Sequence, residues 1–179
     1  MRIISGNHRG KHIIAPKNLP VRPTTDLAKE SLFNILNNFF FFDNIKVLDL
    51  FAGTGNMTYE FAAREALSVT AVDNNQQCIN FIHKTITKLK FDNVHVIRAD
   101  VIDFLKSCKT KYNVIFADPP YDWDNYGLLP DLVLNNNLLL EDGFLIIEHS
   151  LAIDYGQYPK FYQKRKYGKV NFSIFAENL

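Results

Sequence analysis

The sequence predicts an α/β fold, a mostly parallel sheet covered by helices on both faces. Three observations lead there. Between residues 46 and 148, short β-prone runs alternate with stretches that repeat apolar residues every three or four positions, and such alternation places successive strands parallel. The last two β-prone runs have only a turn at Gly168 between them. That is too short for a parallel crossover, so they pair antiparallel. The first strand of the alternating region leads into Gly53-Thr54-Gly55, and the carboxyl ends of strands are where such sheets hold ligands.

In chain order, residues 2–5 and 11–15 are β-prone and flank Gly6-Asn7-His8-Arg9-Gly10, which reads as an N-terminal β-hairpin. Residues 16–25 contain three prolines and form an extended connector. A helix follows over 26–40, capped by Asp26, with Ala28, Leu32, Ile35, Leu36 and Phe39 as its apolar stripe. Strands are expected at 46–50, 68–72, 94–97, 114–117 and 144–148, and helices at 56–64, 76–89, 101–107 and 125–136. Residues 161–167 and 170–175 are the closing strand pair. The expected organisation is a basic hairpin and connector over 1–25 followed by one α/β domain over 26–179.

A chain of 179 residues with 47% hydrophobic and 22% charged positions can bury one good core. Its apolar runs are too short to span a membrane, and the N-terminus lacks the apolar stretch of a secretory signal. Cys78 and Cys108 stand alone, without metal-ligand spacing, so no metal site is expected and a cytoplasmic location is. The formal net charge is only +1, which by itself argues against a nucleic-acid binder. The distribution argues otherwise. Residues 1–25 carry Arg2, Arg9, Lys11, Lys17 and Arg22 with no acid, and residues 155–176 carry five more basic groups with no acid. The stretch between, 26–154, has a net charge of −8.

Four constellations carry candidate chemistry. Asp49-Leu50-Phe51-Ala52-Gly53-Thr54-Gly55 ends the first parallel strand; small residues let a ligand approach the backbone, although a bare tight turn has the same pattern. A dinucleotide site wants a third glycine where Thr58 stands. Asp73 ends the next strand, where a carboxylate either grips ribose hydroxyls or caps the following helix. Asp100 is either a helix cap or the partner of an adenine amino group, roles that are compatible. Asp118-Pro119-Pro120-Tyr121 is the most specific feature. Its prolines fix φ, so that the Pro119 carbonyl and the Asp118 carboxylate offer two adjacent acceptors to a planar exocyclic amine, and Tyr121 offers a face for a base to stack on. Trp123 either helps hold that base or packs at the rim. Cys78 reads as an apolar filler with no cysteine near this motif, and His149 as structural.

With these motifs in view, the chain resembles the S-adenosylmethionine-dependent amino-methyltransferases, through residues 49–55 and 118–121. Gly6, Arg9-Gly10-Lys11, Pro16, Arg22-Pro23-Thr24-Thr25-Asp26 and Lys29-Glu30-Ser31-Leu32-Phe33-Asn34 narrow the resemblance to the RsmD family, and Glu60 and Arg64 also fit its pattern. Thr58, Tyr59 and Glu65 depart from it, standing where small residues and a glycine are usual. The resemblance implies a Rossmann-like class I methyltransferase fold: a mostly parallel seven-stranded sheet with one antiparallel strand, plus the N-terminal β-hairpin. It implies S-adenosyl-L-methionine as cofactor, held by Asp49, Phe51, Ala52, Gly53, Gly55, Asp73, Asn74, Asp100 and Val101, with Arg22 and Thr24 folding back over it. Asp118, Pro119, Pro120 and Tyr121 would be catalytic, and Arg2, His8, Arg9, Lys11 and Arg22 would contact RNA. The implied reaction is methylation of a guanine N2 in 16S ribosomal RNA, within a partly or fully assembled small subunit, by a monomer. The alternatives are an adenine-N6 methyltransferase of DNA or RNA, a glutamine-amide methyltransferase, which usually has Asn where Asp118 stands, and an RNA-binding ribosome assembly factor.

Overall fold

The computed structural model describes residues 1–16, 19 and 24–178. Five parallel strands, β1 (Lys46–Leu50), β2 (Ser68–Asp73), β3 (Val94–Arg98), β4 (Tyr112–Ala117) and β5 (Leu139–His149), are joined by helices α2 (Asn56–Ala63), α3 (Gln76–Leu89), α4 (Val101–Ser107) and α5 (Leu128–Asn135). Helix α1 (Asp26–Leu36) precedes them, and β6 (Phe161–Tyr167) and β7 (Val170–Ala176) close the chain. The sheet order is β3-β2-β1-β4-β5-β7-β6. Only β7 runs against its neighbours. Central strands β1 and β4 are almost wholly buried, as expected when helices cover both faces. One apolar cluster packs α1, α2, α3 and the N-terminal arm on one face; the other packs α4, α5, Tyr126 and Tyr155 on the opposite face. Among the described residues, no helix is long and apolar enough to cross a membrane.

The order of connections reverses between β1 and β4: the chain leaves β1 toward β2 and β3, then returns to β4 on the other side. Such a switch point leaves a crevice at the strands' carboxyl ends. It brings together the loop after β1 and residues 118–121 after β4.

The N-terminal arm turns back as a hairpin with a minimal ladder. Arg2 and His12 form a single antiparallel bridge, flanked by Ile3 N donating to Lys11 O at 3.1 Å and Ile13 N to Met1 O at 3.0 Å. The ladder stops because the next donors are diverted into the body. Ile4 N and Ser5 N both donate to the Glu60 carboxylate on α2, at 2.8 and 3.1 Å, and Asn7 N donates to Ala63 O at 2.7 Å. Gly6 makes this approach possible. It sits at φ +73°, and a Cβ there would lie 2.0 Å from the Ala63 carbonyl oxygen.

Glu60 is fully buried and also accepts from Arg64 Nε at 3.0 Å and faces Lys29 Nζ at 3.3 Å. Lys29, only 1% exposed, donates further to Arg2 O (2.6 Å) and Asn56 Oδ1 (2.9 Å). Burial pulls the Lys29 ammonium below the ordinary lysine range, with Glu60 opposing the effect. The guanidinium of Arg64 lies over the Phe33 ring at 4.3 Å.

Several element boundaries correct the sequence reading. Thr25 caps α1, its hydroxyl accepting from Ala28 N at 3.2 Å; Asp26 is the first helical residue and pairs with Arg2 at 3.3 Å. The buried stripe is Ala28, Lys29, Leu32, Phe33 and Leu36, because Glu60 draws a lysine inward. The helix ends at Leu36 rather than residue 40, since Phe39 and Phe40 leave its axis to pack edge-on against Phe144 at 4.9 and 5.3 Å. Strand β5 begins at Leu139, five residues early, across a register shift opposite Tyr112 and Val114. Helix α5 starts at Leu128 because residues 125–127 are turn.

Candidate active site

The crevice at the switch point is a cleft of about 300 Å³. Phe51 and Gly53 form its floor, with both residues in the left-handed region at φ 58° and 54°. Asp73, Asn74, Asp100 and Val101 line one side, and residues 118–121 with Trp123 the other.

Asp73 brackets two elements. One carboxylate oxygen accepts from Gly53 N at 2.8 Å and the other from Asn75 N at 2.8 Å. Two of its roughly four acceptor positions are thus used internally, and the rest are available at the cleft wall. Asp73 does not cap α3; Asn75 does, accepting from Gln77 N and Cys78 N. Asp100 does cap α4, taking Ile102 N and Asp103 N on a single oxygen, Oδ1.

Asp118 follows the buried end of β4, its N–H reaching Leu50 O at 3.4 Å. Burial raises its carboxyl well above the ordinary range, and the neighbouring Glu148 and Asp49 carboxylates push it the same way. Pro119 is buried, whereas Tyr121 is 55% exposed at the mouth. The Pro119 carbonyl is held by the Tyr126 hydroxyl, which donates to it at 3.2 Å and to Pro120 O at 3.3 Å. Tyr126 in turn is fixed through its own carbonyl, which accepts from Tyr155 OH at 2.9 Å. One lone pair of the Pro119 oxygen is therefore taken by the protein and one remains.

A second cavity, of about 570 Å³, lies on the far side of Asp118 and Tyr121, which line both. Thr24, Glu148, Ser150 and the β6–β7 turn complete it. Glu148 near the end of β5 is only 4% exposed and accepts from the Thr24 hydroxyl at 2.7 Å. Glu148 and Tyr126 are the residues sequence reasoning missed. Glu148 closes an apolar strand and Tyr126 sits in a turn, and neither belongs to a motif.

The other sequence-designated residues fall as follows. Asp49 does not line the cleft. It is buried, bonded to the Thr58 hydroxyl at 2.5 Å, and its carboxyl is raised to about 7 by burial. Ala52 and Gly55 are also buried away from the wall; Gly55, at φ 80°, is the N-cap of α2, with Tyr59 packed so close that a Cβ would meet its ring at 2.6 Å. Thr24 belongs to the second cavity, not to the first. Arg22 lies outside the described residues. In the arm, Arg9 and Lys11 are exposed. His8 instead docks the arm on the body, its Nε2 at 2.9 Å from Leu89 O and its ring edge-on to Phe91. Arg2 shares its charge with Asp26.

Trp123 packs edge-on against Phe51 and Tyr126 while forming part of the wall. Cys78, expected away from the motif, also lines the cleft, from the first turn of α3. Burial raises its thiol to about 11, which keeps it protonated and unreactive. His149 is structural, bonded to Ser173 Oγ at 2.8 Å and Ser150 O at 2.7 Å. Among the described residues, no group of three or more His, Cys, Asp or Glu side chains is placed to hold a metal ion.

Known proteins are similar to this chain over most of its length. A family model described as conserved hypothetical protein 95 matches residues 1–176. A Buchnera aphidicola protein named ribosomal RNA small subunit methyltransferase D is 34% identical over 98% of this chain and 91% of its own length. The solved structure of a putative methyltransferase, yhhF from Escherichia coli, superposes with a TM-score of 0.85 at 26% identity, covering 99% of this chain and 98% of that one. A further solved structure, SMU.776, a putative methyltransferase complexed with SAH, shares the fold at a TM-score of 0.67 and 19% identity, over 85% of this chain and 50% of that one.

Proposed function

The chain belongs to the family described as conserved hypothetical protein 95, the RsmD family, and from its site we propose that it transfers a methyl group from S-adenosylmethionine to the exocyclic N2 amine of a guanine in 16S ribosomal RNA. The observation that carries this reading is the shared wall: Asp118 and Tyr121 stand between a cleft furnished with ribose and adenine acceptors and a second cavity open to a target base.

The cleft suits the cofactor. Asp73 keeps acceptor positions for ribose hydroxyls after bonding Gly53 and Asn75. Asp100 has one oxygen engaged in capping, and Phe51 and Val101 give apolar contact to a purine. When bound, the cofactor supplies a methyl group on a sulfonium, already activated for transfer.

The remaining task belongs to the protein. A guanine N2 lone pair is delocalised into the ring, so the amine is a poor nucleophile. Asp118 and the fixed Pro119 carbonyl accept its two hydrogens, favour a pyramidal nitrogen and stabilise the charge that develops on it. Tyr126 holds that carbonyl in position, and such orientation is worth as much as ~7–11 kcal/mol in well-aligned systems. Tyr121 stacks on the base.

Guanine suits the second cavity better than adenine. Its Watson–Crick edge presents N1–H beside the N2 amine, two donor groups for the two carboxylates Asp118 and Glu148. Adenine presents an acceptor at N1, which would face a carboxylate. Because that edge is hidden in a duplex, the target base is unpaired or flipped out.

The test is a radiolabelled methyl-transfer assay on naked 16S ribosomal RNA, assembled small subunits and DNA, with mass mapping of the product. Methylated guanine N2 in RNA is expected, and Asp118→Ala abolishes transfer while S-adenosylhomocysteine still binds. Product on adenine N6, or undiminished activity of the variant, overturns the proposal.

A further inference from the structure

We infer that the groove between the N-terminal arm and α3 is a second RNA-contact surface, a track for the phosphodiester backbone that flanks the target base, with Lys84 and Lys88 as its main cations. The inference rests on the reading of the chain as an RNA methyltransferase and takes the contact beyond the arm.

The groove has a volume of about 530 Å³. Lys11 and His12 stand on its arm side, Lys84 and Lys88 on its helix side. All four are exposed. Helix α3 contains no Asp or Glu in fourteen residues, and the arm contains none either. Two acid-free walls thus face each other in a molecule whose stretch from 26 to 154 carries a net charge of −8. Among the described residues, neither Lys84 nor Lys88 is in an ion pair. A basic stripe unbalanced by acids is the electrostatic footprint of a polyanion site.

The geometry is that of a track. Lys84 and Lys88 are four residues apart, so they project from one helix face with Cβ atoms about 5–6 Å apart. Gln77 lines the groove while its neighbour Cys78 lines the cofactor cleft, so the groove opens beside that cleft. From Gln77 to Lys88 the helix spans about 16 Å, a length that matches several consecutive phosphates. Gln77 and Asn80 add side-chain amides, and Ile14, 88% exposed, offers an apolar contact for a sugar face. The walls are fixed to each other, because His8 on the arm bonds Leu89 O at the far end of α3. The cations are therefore organised before RNA arrives, and little ordering is needed to use them.

An acidic protein segment would also be attracted here. The paired cations one helical turn apart, the absence of any acid on either wall and the opening beside the cofactor cleft favour the nucleic-acid backbone.

The experiment compares the parent with Lys84→Ala/Lys88→Ala in the full chain, binding transcribed 16S ribosomal RNA across a salt series. Loss of two single-strand phosphate contacts lowers the slope of log K against log salt by about 1.4. The binding defect is then about sevenfold greater at 50 mM than at 200 mM salt. Affinity for S-adenosylhomocysteine stays unchanged, as does the circular dichroism spectrum. A control, Lys106→Ala/Lys109→Ala, removes two lysines associated with α4 on the other face of the sheet and leaves the slope as it was.

An unchanged slope in Lys84→Ala/Lys88→Ala, with a reduced one in Arg9→Ala/Lys11→Ala, overturns the track and leaves the RNA reading standing. A parent with no salt-dependent RNA affinity overturns that reading itself. A double variant that keeps its slope on naked RNA but loses binding to assembled subunits shows a protein partner in the groove, and also overturns the inference.

Discussion

Replacing Glu60 by Gln tests how the arm is held. The carboxylate is fully buried and serves four donors: Ile4 N, Ser5 N, Arg64 Nε and Lys29 Nζ. An amide keeps one oxygen and turns the other into an NH₂ group, which faces donors rather than acceptors. It also takes the counter-charge from the 1%-exposed Lys29 ammonium and leaves it neutral acceptors such as Arg2 O and Asn56 Oδ1. Breaking a buried pair in this way costs about 3–5 kcal/mol. For a domain of this size that lowers Tm by roughly 6–20 °C. Lys29→Met leaves the carboxylate with three donors, so it is the milder change. The double variant costs less than the sum of the two by about 1–3 kcal/mol. The assay is urea unfolding followed by circular dichroism and by fluorescence of the single tryptophan. A cost for Glu60→Gln below about 1 kcal/mol, the range of a solvent-exposed pair, would refute the reasoning.

Three further outcomes are expected. In the proposed mechanism Asp118 accepts when ionised, and burial raises its carboxyl above the ordinary range, so activity is expected to rise with pH through that raised pKa. Glu148→Gln removes a like charge, so the acid limb of the pH–rate profile moves to lower pH, and a limb that stays put contradicts the coupling. Tyr126→Phe frees the Pro119 and Pro120 carbonyls; kcat falls by about 10²-fold with the misplaced acceptor, cofactor affinity holds, and steady-state kinetics with calorimetry separate the two. Gly6→Ala places a Cβ 2.0 Å from a backbone oxygen at a positive φ; the arm lifts from α2 and becomes the first site cut in limited proteolysis, whereas Gly10→Ala, at a similar positive φ of 82° but with nothing within 4 Å, brings the backbone strain without the clash and leaves the arm docked.

The fold was legible because the alternation of runs is long and regular. Helices α3 and α4 start and stop at the expected residues, and the closing strand pair is where a lone Gly168 turn put it. The misreadings share a physical cause: tertiary partners that local pattern does not announce. Lys29 points inward because Glu60, far along the chain, needs a cation. Phe39 and Phe40 leave α1 because Phe144 offers a better packing site than another helical turn. The strand expected over 144–148 starts five residues earlier, since β5 runs on through 139–143 once a register shift is absorbed. At the site, residues 118–121 announced themselves by their composition. Glu148 and Tyr126 did not, since their roles depend on which strands and turns happen to meet at the switch point. Asp49 illustrates the converse: it lies within a strong motif, but its carboxylate is bonded to Thr58 beneath the loop.

Helix α2 begins at the glycine turn of the cleft and, five residues later, presents Glu60 to the arm. An insertion of one residue between them would swing the carboxylate through about a quarter of a circle. The arm is therefore not a transplantable appendage. A deletion ending at residue 25 would strip Glu60 of two donors and Lys29 of one acceptor, and would uncover the apolar surface that Ile3 and Ile13 now seal. The acid-free basic arm is also part of the molecule's interior wall, so variation in its length or attachment is constrained by the same eight-residue helix that begins at the glycine turn.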